Sequence, residues 1–349
     1  MLKQEIVQYN GRNRVLLIAS YDAIIFSMKP PYEITSDILA LYGKICESLG
    51  RCKTLHLMKP EAKLRRQNRI KTIHSSLAIE GNILDIELVT AILEKAHVVG
   101  PEKDIREVQN AITAYADLGT YDHCSNNDFL RAHKVIMDGL IANAGKYRNR
   151  QVGIVKGKEV QHIAPSALMV PGLMNDLFGY LKNDNDLLII KSCVFHYEME
   201  FIHPFEDGNG RIGRLWQTRI LMEVNPIFEY VPIEETVKNR QQEYYKALAN
   251  SDGEGKSTTF IIFMLSAINE SLSKMLDSSR AIKIDFEKRA ELALDQLKDW
   301  FDRKEYMRVN KGISSATASR DLKTMLQSGI VVASGNGRMI RYRKNAGEK

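Results

Sequence analysis

The stretch HPFEDGNGRIGR, residues 203–214, constrains this chain more than any other. It follows LLIIKSCVFHYEMEFIH, which is apolar nearly all round and therefore predicts a buried helix that ends at His203. The Gly-Asn-Gly of 208–210 predicts a turn, and a helix-compatible run begins at Arg211. The stretch thus predicts a core helix, a tight glycine loop and a second helix in direct succession.

The glycine loop is suited to binding a phosphate. Backbone N–H groups at a helix start point outward and carry partial positive charge, and glycines let an anion approach closely. Arg211 and Arg214 lie three apart, hence on one helix face, where both could hold further phosphate oxygens. Asp207 is placed to hold Mg²⁺ between two phosphates, and His203 is a residue type for a general base. Together they indicate transfer of a phosphorus-centred group from a nucleotide to a hydroxyl.

Each feature alone has a plainer interpretation. A histidine after an apolar helix is usually structural, Asn-Gly is usually just a turn, and arginines three apart usually form a solvated face. Their coincidence within residues 203–214 favours the chemical interpretation.

These residues resemble the signature of the Fic (filamentation induced by cAMP) family, H-x-F-x-[DE]-G-N-G-R-x-x-R, at every fixed position. The resemblance extends over most of 60–275. Most members with the full signature are protein adenylyltransferases, which move AMP from ATP to a Ser, Thr or Tyr hydroxyl of a target protein. The resemblance implies that activity here, with ATP as substrate and Mg²⁺ as cofactor.

The resemblance also implies a role for each motif residue. His203 would deprotonate the target hydroxyl, Asp207 would hold Mg²⁺ between the α- and β-phosphates, and Arg214 would bind the γ-phosphate. Phe205 would anchor the loop. The anion hole for the transferred phosphate would be formed by Asn209 and by the backbone N–H groups of Gly208, Gly210 and Arg211.

Three further features resemble the family. Tyr244 and Tyr245 match a pair that lines the adenine and ribose pocket, with Asn250 assisting, although its spacing differs from the family pattern. VGIV and VQHI predict a hairpin around a glycine turn, which resembles the flap that pairs with the target segment. Doc-type members, which phosphorylate, have lysine where this chain has Gly210, so adenylylation is favoured over phosphotransfer. Phosphocholine transfer stays open.

The helix ending SSLAIEGN contains Ser76, Glu80 and Gly81, which resemble the family's inhibitory motif, [ST]-x-x-x-E-[GN]. The plainer interpretation is an amphipathic helix ending in a glycine cap. The resemblance implies that Glu80 pairs with Arg214 and so misplaces the phosphates of ATP. Removal of AMP by the same glutamate, as in some members, stays open.

The C-terminal part has a different surface. Residues 303–349 contain eleven Lys and Arg but three Asp and Glu. SSATASRDLKTMLQSG predicts a recognition helix, and a hairpin turned by 335–337 would carry Arg338, Arg341 and Arg343. We therefore predict a winged helix-turn-helix after a polar linker at 277–285, with either DNA or a protein as its partner.

The predicted fold is mainly α: a Fic fold, meaning a helical bundle with a β-hairpin flap, plus the winged helix. We expect a helical N-terminal region with the inhibitory helix (1–110), a catalytic core (111–276) and the basic unit (283–349). The alternative to an enzyme is a DNA-binding regulator whose Fic domain senses nucleotide. An intact His203 favours the enzyme, because a sensor needs no base.

From the sequence we expect the protein to be cytoplasmic. Its four cysteines include no CxxC pair, so neither a zinc site nor a disulfide framework is indicated. The apolar segment 15–28 is shorter than a membrane span and contains Asp22, and no signal peptide is recognised. We expect no membrane partner; a homodimer, the target protein and the role of 1–60 are left open.

Overall fold

The computed structural model describes residues 6–8, 15–17, 29–54, 62–151, 153–156, 159–297 and 299–345. The chain divides into two compact units, Met1–Ser273 and Lys274–Lys349. The further division of the first unit into 1–110 and 111–276 stays a prediction.

The described residues are predominantly helical, which confirms the expected fold class. The helices, in chain order, are α1 Ser36–Thr54, α2 Ala62–Ile79, α3 Ile86–Leu93, α4 Glu102–Ala116, α5 Asn126–Ile136, α6 Val170–Asn183, α7 Leu188–Ile202, α8 Asn209–Val224, α9 Ile233–Asn239, α10 Gln241–Glu254, α11 Thr258–Gln296, α12 Arg303–Val309 and α13 Ser315–Gln327.

The strands form three antiparallel hairpins. They are β1 Ile6–Gln8 with β2 Val15–Leu17, β3 Gly153–Lys156 with β4 Glu159–Ile163, and β5 Val331–Ser334 with β6 Arg341–Lys344. The β3–β4 hairpin is the predicted flap, and a bulge lies between Ile154 and Val155. Its turn at 157–158 lies outside the described residues, as do 18–28 of the early apolar segment.

Helices α7 and α8 form the centre of the first unit. The apolar composition of α7 predicted burial, and nearly every one of its side chains is buried. Helix α8 looks polar in sequence, yet Trp216 is fully buried, with its ring centroid 5.1 Å from that of Phe129 on α5. The ring of Phe205 lies 5.6 Å from Phe129 and is also fully buried. This aromatic packing holds the loop between α7 and α8 against the core.

Helix α2, which carries the predicted inhibitory motif, is attached to the chain that precedes and forms α9. Asn68 donates to the carbonyl of Tyr230 (2.8 Å), and Arg69 pairs with Glu229 (2.8 Å). Lys71 pairs with Glu235 on α9 at 3.1 Å. Two ion pairs and a backbone contact therefore fix the register of α2 and the position of its C-terminal end.

In the second unit, α13 and the β5–β6 hairpin lie where the sequence predicted a helix and a hairpin, and α12, which was not predicted, precedes them. Asp302 and Glu305 form a capping box at α12, and Ser314 caps the start of α13. Gly329, with a φ of 69°, follows the end of α13. Asp321 of α13 is buried, where it accepts from Arg289 Nε (2.7 Å) and from the Tyr306 hydroxyl (3.1 Å). Helices followed by a hairpin are what the winged-helix interpretation requires, and that interpretation stays a prediction.

The predicted linker at 277–285 is wrong as a break in secondary structure. The chain is helical throughout this segment, within α11. DSSRAIKID contains neither proline nor glycine, so nothing in its backbone chemistry ends a helix, although its polarity suggested a linker.

In the part of the chain that the structure describes, one stretch, Thr258–Ser278, is long and apolar enough to cross a membrane, with a mean hydropathy of 1.2. Of this stretch, 61% is buried inside the protein. A buried core helix has the same length and composition, so the stretch is weak evidence for a span.

Candidate active site

The candidate base lies where α7 ends. His203 has a left-handed backbone, with φ of 50° and ψ of 62°, which is uncommon outside glycine. Arg148, a buried side chain, donates from Nε to the His203 carbonyl (2.7 Å) and from Nη2 to the Pro165 carbonyl (2.5 Å). This guanidinium therefore ties the turn at His203 to the chain that leaves the flap. Nothing in the sequence pattern had marked Arg148 as part of the site.

The loop that follows is closed by Asn209. Its side-chain amide accepts from the Phe205 N–H and donates to the Phe205 carbonyl, both at 2.9 Å. Helix α8 begins at Asn209, two residues before Arg211, where the sequence predicted its start. The side chain of Asn209 is thus engaged within the loop, and its predicted part in an anion hole stays a prediction.

Gly208 has space for no side chain. Its φ is 85°, and a Cβ would lie 3.2 Å from His133 Nε2 and 2.9 Å from Met137 Cγ. Both the backbone conformation and the close approach of α5 therefore require glycine here.

His133 on α5 supports this loop, although the sequence did not mark it as part of the site. The ring stacks on Phe205, with centroids 3.5 Å apart and planes 6° apart. The Gly145 N–H donates to Nδ1 (2.9 Å), so Nε2 carries the proton and donates to the Asp207 carbonyl (3.0 Å). Burial lowers the pKa of His133 to about 4, so the neutral ring persists at neutral pH. No spacing in the sequence signalled this contact.

The candidate metal ligand is Asp207, whose side chain is 49% exposed. Its Oδ1 accepts from the Gly208 N–H (2.6 Å) and from Arg211 Nη2 (2.9 Å). Arg211 is itself buried and donates to Glu107 Oε1 on α4 at 2.7 Å. An exposed carboxylate beside a helix N-terminus fits Mg²⁺, which takes one or two carboxylates together with substrate phosphates. Arg211 is therefore a support for Asp207 and α4 in this structure.

A second set of possible metal ligands lies elsewhere in the first unit. The ligand atoms of Asp122, His123 and Cys124 lie within 4.8 Å of one another. The residues are consecutive, and Asp122 Oδ1 already accepts from the Cys124 N–H (3.0 Å). A local turn explains this grouping.

Glu80 contacts Arg214 directly. Arg214 Nη2 donates to Glu80 Oε1 (2.8 Å) and to the Ser76 carbonyl (2.9 Å), and its Nε donates to Ser76 Oγ (3.1 Å). Gly81 follows with a φ of 92°, ending the helical turn. Burial lowers and the Glu80 carboxylate raises the pKa of Arg214, and the balance is upward. Of the predicted inhibitory motif, Ser76 and Glu80 therefore contact Arg214, and Gly81 forms the turn that follows Glu80.

Gly210 provides the space that Glu80 occupies. A Cβ at this position would overlap Glu80 Oε1 and lie 3.0 Å from Arg214 Nη1. The missing side chain thus lets the carboxylate reach the first turn of α8, where the anion site was predicted.

The positive charge of Arg214 acts on two more carboxyl groups, and neither was identified from the sequence. Glu234 on α9 accepts from the Tyr115 hydroxyl (3.0 Å) and Thr218 Oγ1 (3.4 Å), and burial raises its pKa. Glu200 on α7 is buried too, and burial, with the charge of Glu80, raises its pKa to about 8. One buried arginine therefore has three acidic neighbours.

The predicted tyrosine pair lies on α10, with ring centroids 5.4 Å apart. Tyr244 is buried and donates its hydroxyl to His196 Nε2 (3.1 Å), whereas Tyr245 is 42% exposed. Asn250 is exposed and lies six residues after Tyr244, well away from its face of the helix. Of the three, Tyr245 offers an open ring, and the role of Asn250 stays a prediction.

Comparison with known proteins agrees with this geometry. The sequence model of the Fic/DOC family matches residues 123–221. A crystal structure of a Fic family protein from Desulfovibrio desulfuricans G20 is similar with a TM-score of 0.69 and 35% identity, over 92% of this chain and 100% of that one.

Two curated relatives are also similar. Protein adenylyltransferase fic-1 of Caenorhabditis elegans is 29% identical over 199 residues, covering 53% of this chain and 37% of its own length. Protein adenylyltransferase Fic of Nematostella vectensis is 26% identical over 249 residues, covering 67% of this chain and 55% of its own length. The chain thus spans about a third to a half of these relatives.

Proposed function

Because this chain belongs to the Fic/DOC family, we propose that it is a protein adenylyltransferase that is inhibited by its own Glu80. The observation that carries the proposal is the Arg214 site, where Glu80, the residue after the end of α2, pairs with an arginine in the second turn of α8. An arginine at that position suits the terminal phosphate of ATP.

In the proposed reaction, the hydroxyl oxygen of the target attacks the α-phosphorus of ATP. A new P–O bond forms, the bond to the β-phosphate breaks, and pyrophosphate leaves. His203 takes the hydroxyl proton. Its Nδ1 lies 3.4 Å from the Glu200 carbonyl, an orientation in which Nε2 is the basic nitrogen.

The rest of the site holds the nucleotide. The backbone N–H groups at the start of α8 face the transferred phosphate, and Asp207 would hold Mg²⁺, which offsets the negative charge of the phosphates. Arg214 would orient the γ-phosphate once Glu80 withdraws. With Glu80 in place, ATP binds with its phosphates displaced from in-line attack, which slows transfer.

The experiment that tests this proposal is intact mass spectrometry of the Glu80→Gly protein after incubation with ATP and Mg²⁺, alone and with lysate proteins. We expect a gain equal to AMP on the protein or on a target. A gain equal to phosphate would instead assign phosphotransfer. No gain on any protein would favour the nucleotide-sensing regulator.

We also propose that the second unit contacts DNA. Exposed cations support this: Lys323 on α13, and Arg343 and Lys344 on β6. In the full chain, Lys323→Gln with Lys344→Gln should weaken duplex binding and reduce its salt dependence, measured by anisotropy between about 50 and 200 mM salt. Lys103→Gln, an exposed lysine of the first unit, should change neither. No binding by the native chain at low salt would reject this contact.

A further inference from the structure

Glu200 has a largely buried carboxyl group, one oxygen of which, Oε1, accepts no hydrogen bond from the described residues. It lies on α7, three residues before His203, and its side chain is 11% exposed. Among the residues that the structure describes, none forms a hydrogen bond with its buried Oε1. A buried carboxyl oxygen without a hydrogen-bond partner is costly and is uncommon without a functional reason.

The nearest candidate donor is unable to act. His196 Nε2 lies 3.8 Å from Glu200 Oε1, but that nitrogen accepts from the Tyr244 hydroxyl, and Nδ1 donates to Gln217 Oε1 (2.7 Å). Burial lowers the pKa of His196 to about 3, so the ring is neutral. Glu200 therefore receives neither a proton nor a positive charge from its own helix.

The charged groups that act on Glu200 come from the elements around it. They are Glu80, which follows α2, and Arg214 on α8, while Tyr244 and Tyr245 of α10 sense its charge. Burial and the negative charge of Glu80 favour the neutral form of Glu200, whereas the positive charge of Arg214 favours the ionised form. Because Arg214 already contacts Glu80, its charge is largely compensated in this arrangement.

Withdrawal of Glu80 changes that balance. Arg214 then lacks its ion-pair partner, and Glu200 loses a negative neighbour, so the pKa of Glu200 falls below its value in the inhibited form. An ionised Glu200 would both attract Arg214 and repel a phosphate entering the same position.

We propose that Glu200 is a positioning residue that acts through Arg214. Its ionised form competes with the terminal phosphate of ATP for Arg214, so Glu200 must be neutral for Arg214 to hold that phosphate. The inference rests on the proposed function, because it takes the ATP phosphate as the ligand of Arg214. It makes ATP binding a proton-linked event at a residue that does not itself touch the reacting atoms.

The sign of the linkage follows directly. ATP prefers the protonated Glu200, so binding takes up a proton wherever Glu200 is ionised in the free protein. ATP affinity of the activated protein should therefore fall as pH rises, with Kd increasing by up to about tenfold per pH unit. The dependence begins between the ordinary pKa of a glutamate and the value of about 8 in the inhibited form.

The test is calorimetric binding of ATP with Mg²⁺ to the full-length Glu80→Gly protein across this pH range. Buffers of different ionisation enthalpy report the proton uptake. The matched protein is Glu80→Gly/Glu200→Gln, which keeps the size of the side chain and cannot ionise. We expect the glutamine variant to lose this part of the pH dependence and to bind ATP more tightly at the alkaline end. The protonation of ATP itself changes with pH in the same way for both proteins, so it cancels in the comparison.

Other outcomes distinguish the proposed role of Glu200 from the proposed transferase function. Equal pH dependence in the two proteins, with ATP bound by both, would overturn the role of Glu200 and leave the proposed function intact. The expected difference in ATP binding without any AMP transfer would support Glu200 and reject the transferase. Absence of ATP binding at every pH would reject both. If the glutamine variant fails to fold, Glu200→Met removes the titration with an apolar side chain of similar length.

Discussion

Replacing Glu80 with glycine is expected to raise the rate of AMP transfer on the order of a hundredfold. The substitution removes the carboxylate that Arg214 Nη2 contacts at 2.8 Å, while Ser76 Oγ still accepts from Arg214 Nε at 3.1 Å. The guanidinium therefore keeps its position and becomes available to the γ-phosphate. The measurement is the initial rate of label transfer from ATP labelled at the α-phosphate, with native and variant proteins at equal concentration.

The matched control is Glu87→Gly, which makes the same glutamate-to-glycine change at an exposed position in the first turn of α3. This variant should transfer AMP at the native rate. The inhibitory role of Glu80 would be rejected if native and Glu80→Gly proteins transferred AMP equally fast. A Glu80→Gln protein should lie between them, because it keeps the bulk above Gly210 but loses the ion pair.

Adding His203→Ala to the Glu80→Gly protein should lower the rate by a factor of roughly 10² to 10⁴, the usual contribution of general acid–base catalysis. The imidazole is the group placed to take the hydroxyl proton, and the left-handed turn at His203 positions it beside the loop that leads to α8. The same labelled-ATP assay measures the effect.

A measurement of ATP affinity shows whether His203→Ala impairs the reaction itself or the folding of the protein. ATP affinity should be retained, because the phosphates are held by the start of α8 and by Arg214 rather than by His203. His97→Ala removes an exposed histidine elsewhere in the first unit and should leave the rate unchanged. A double variant as fast as Glu80→Gly would exclude His203 as the base.

The sequence was sufficient for the local features of the site. The burial of α7, the loop at Gly208 and the presence of a helix after it follow from hydrophobic pattern and glycine placement, which act over a few residues. The chain is helical at 277–285, where its polarity had suggested a break, because this segment contains no helix-ending residue.

The supports of the site could not be predicted in the same way. His133, Arg148 and Glu107 are separated from the loop by 55 to 104 positions along the chain, and each contacts a backbone carbonyl or a buried arginine. Every residue has a backbone carbonyl, so a contact to a carbonyl does not require a particular residue type at that position. Sequence spacing therefore offers no signal for these three side chains.

The sequence alone determined which groups the site contains: His203, Asp207 and Arg214 are set by a contiguous motif whose local geometry is encoded within its own residues. The resemblance also implied the pairing of Glu80 with Arg214, but only the tertiary structure showed the further acidic groups of that site. It adds Glu200 and Glu234 from two other segments, where burial disfavours their ionised forms. Desolvation and charge pairing depend on distances in space, and one chain without its fold does not define them.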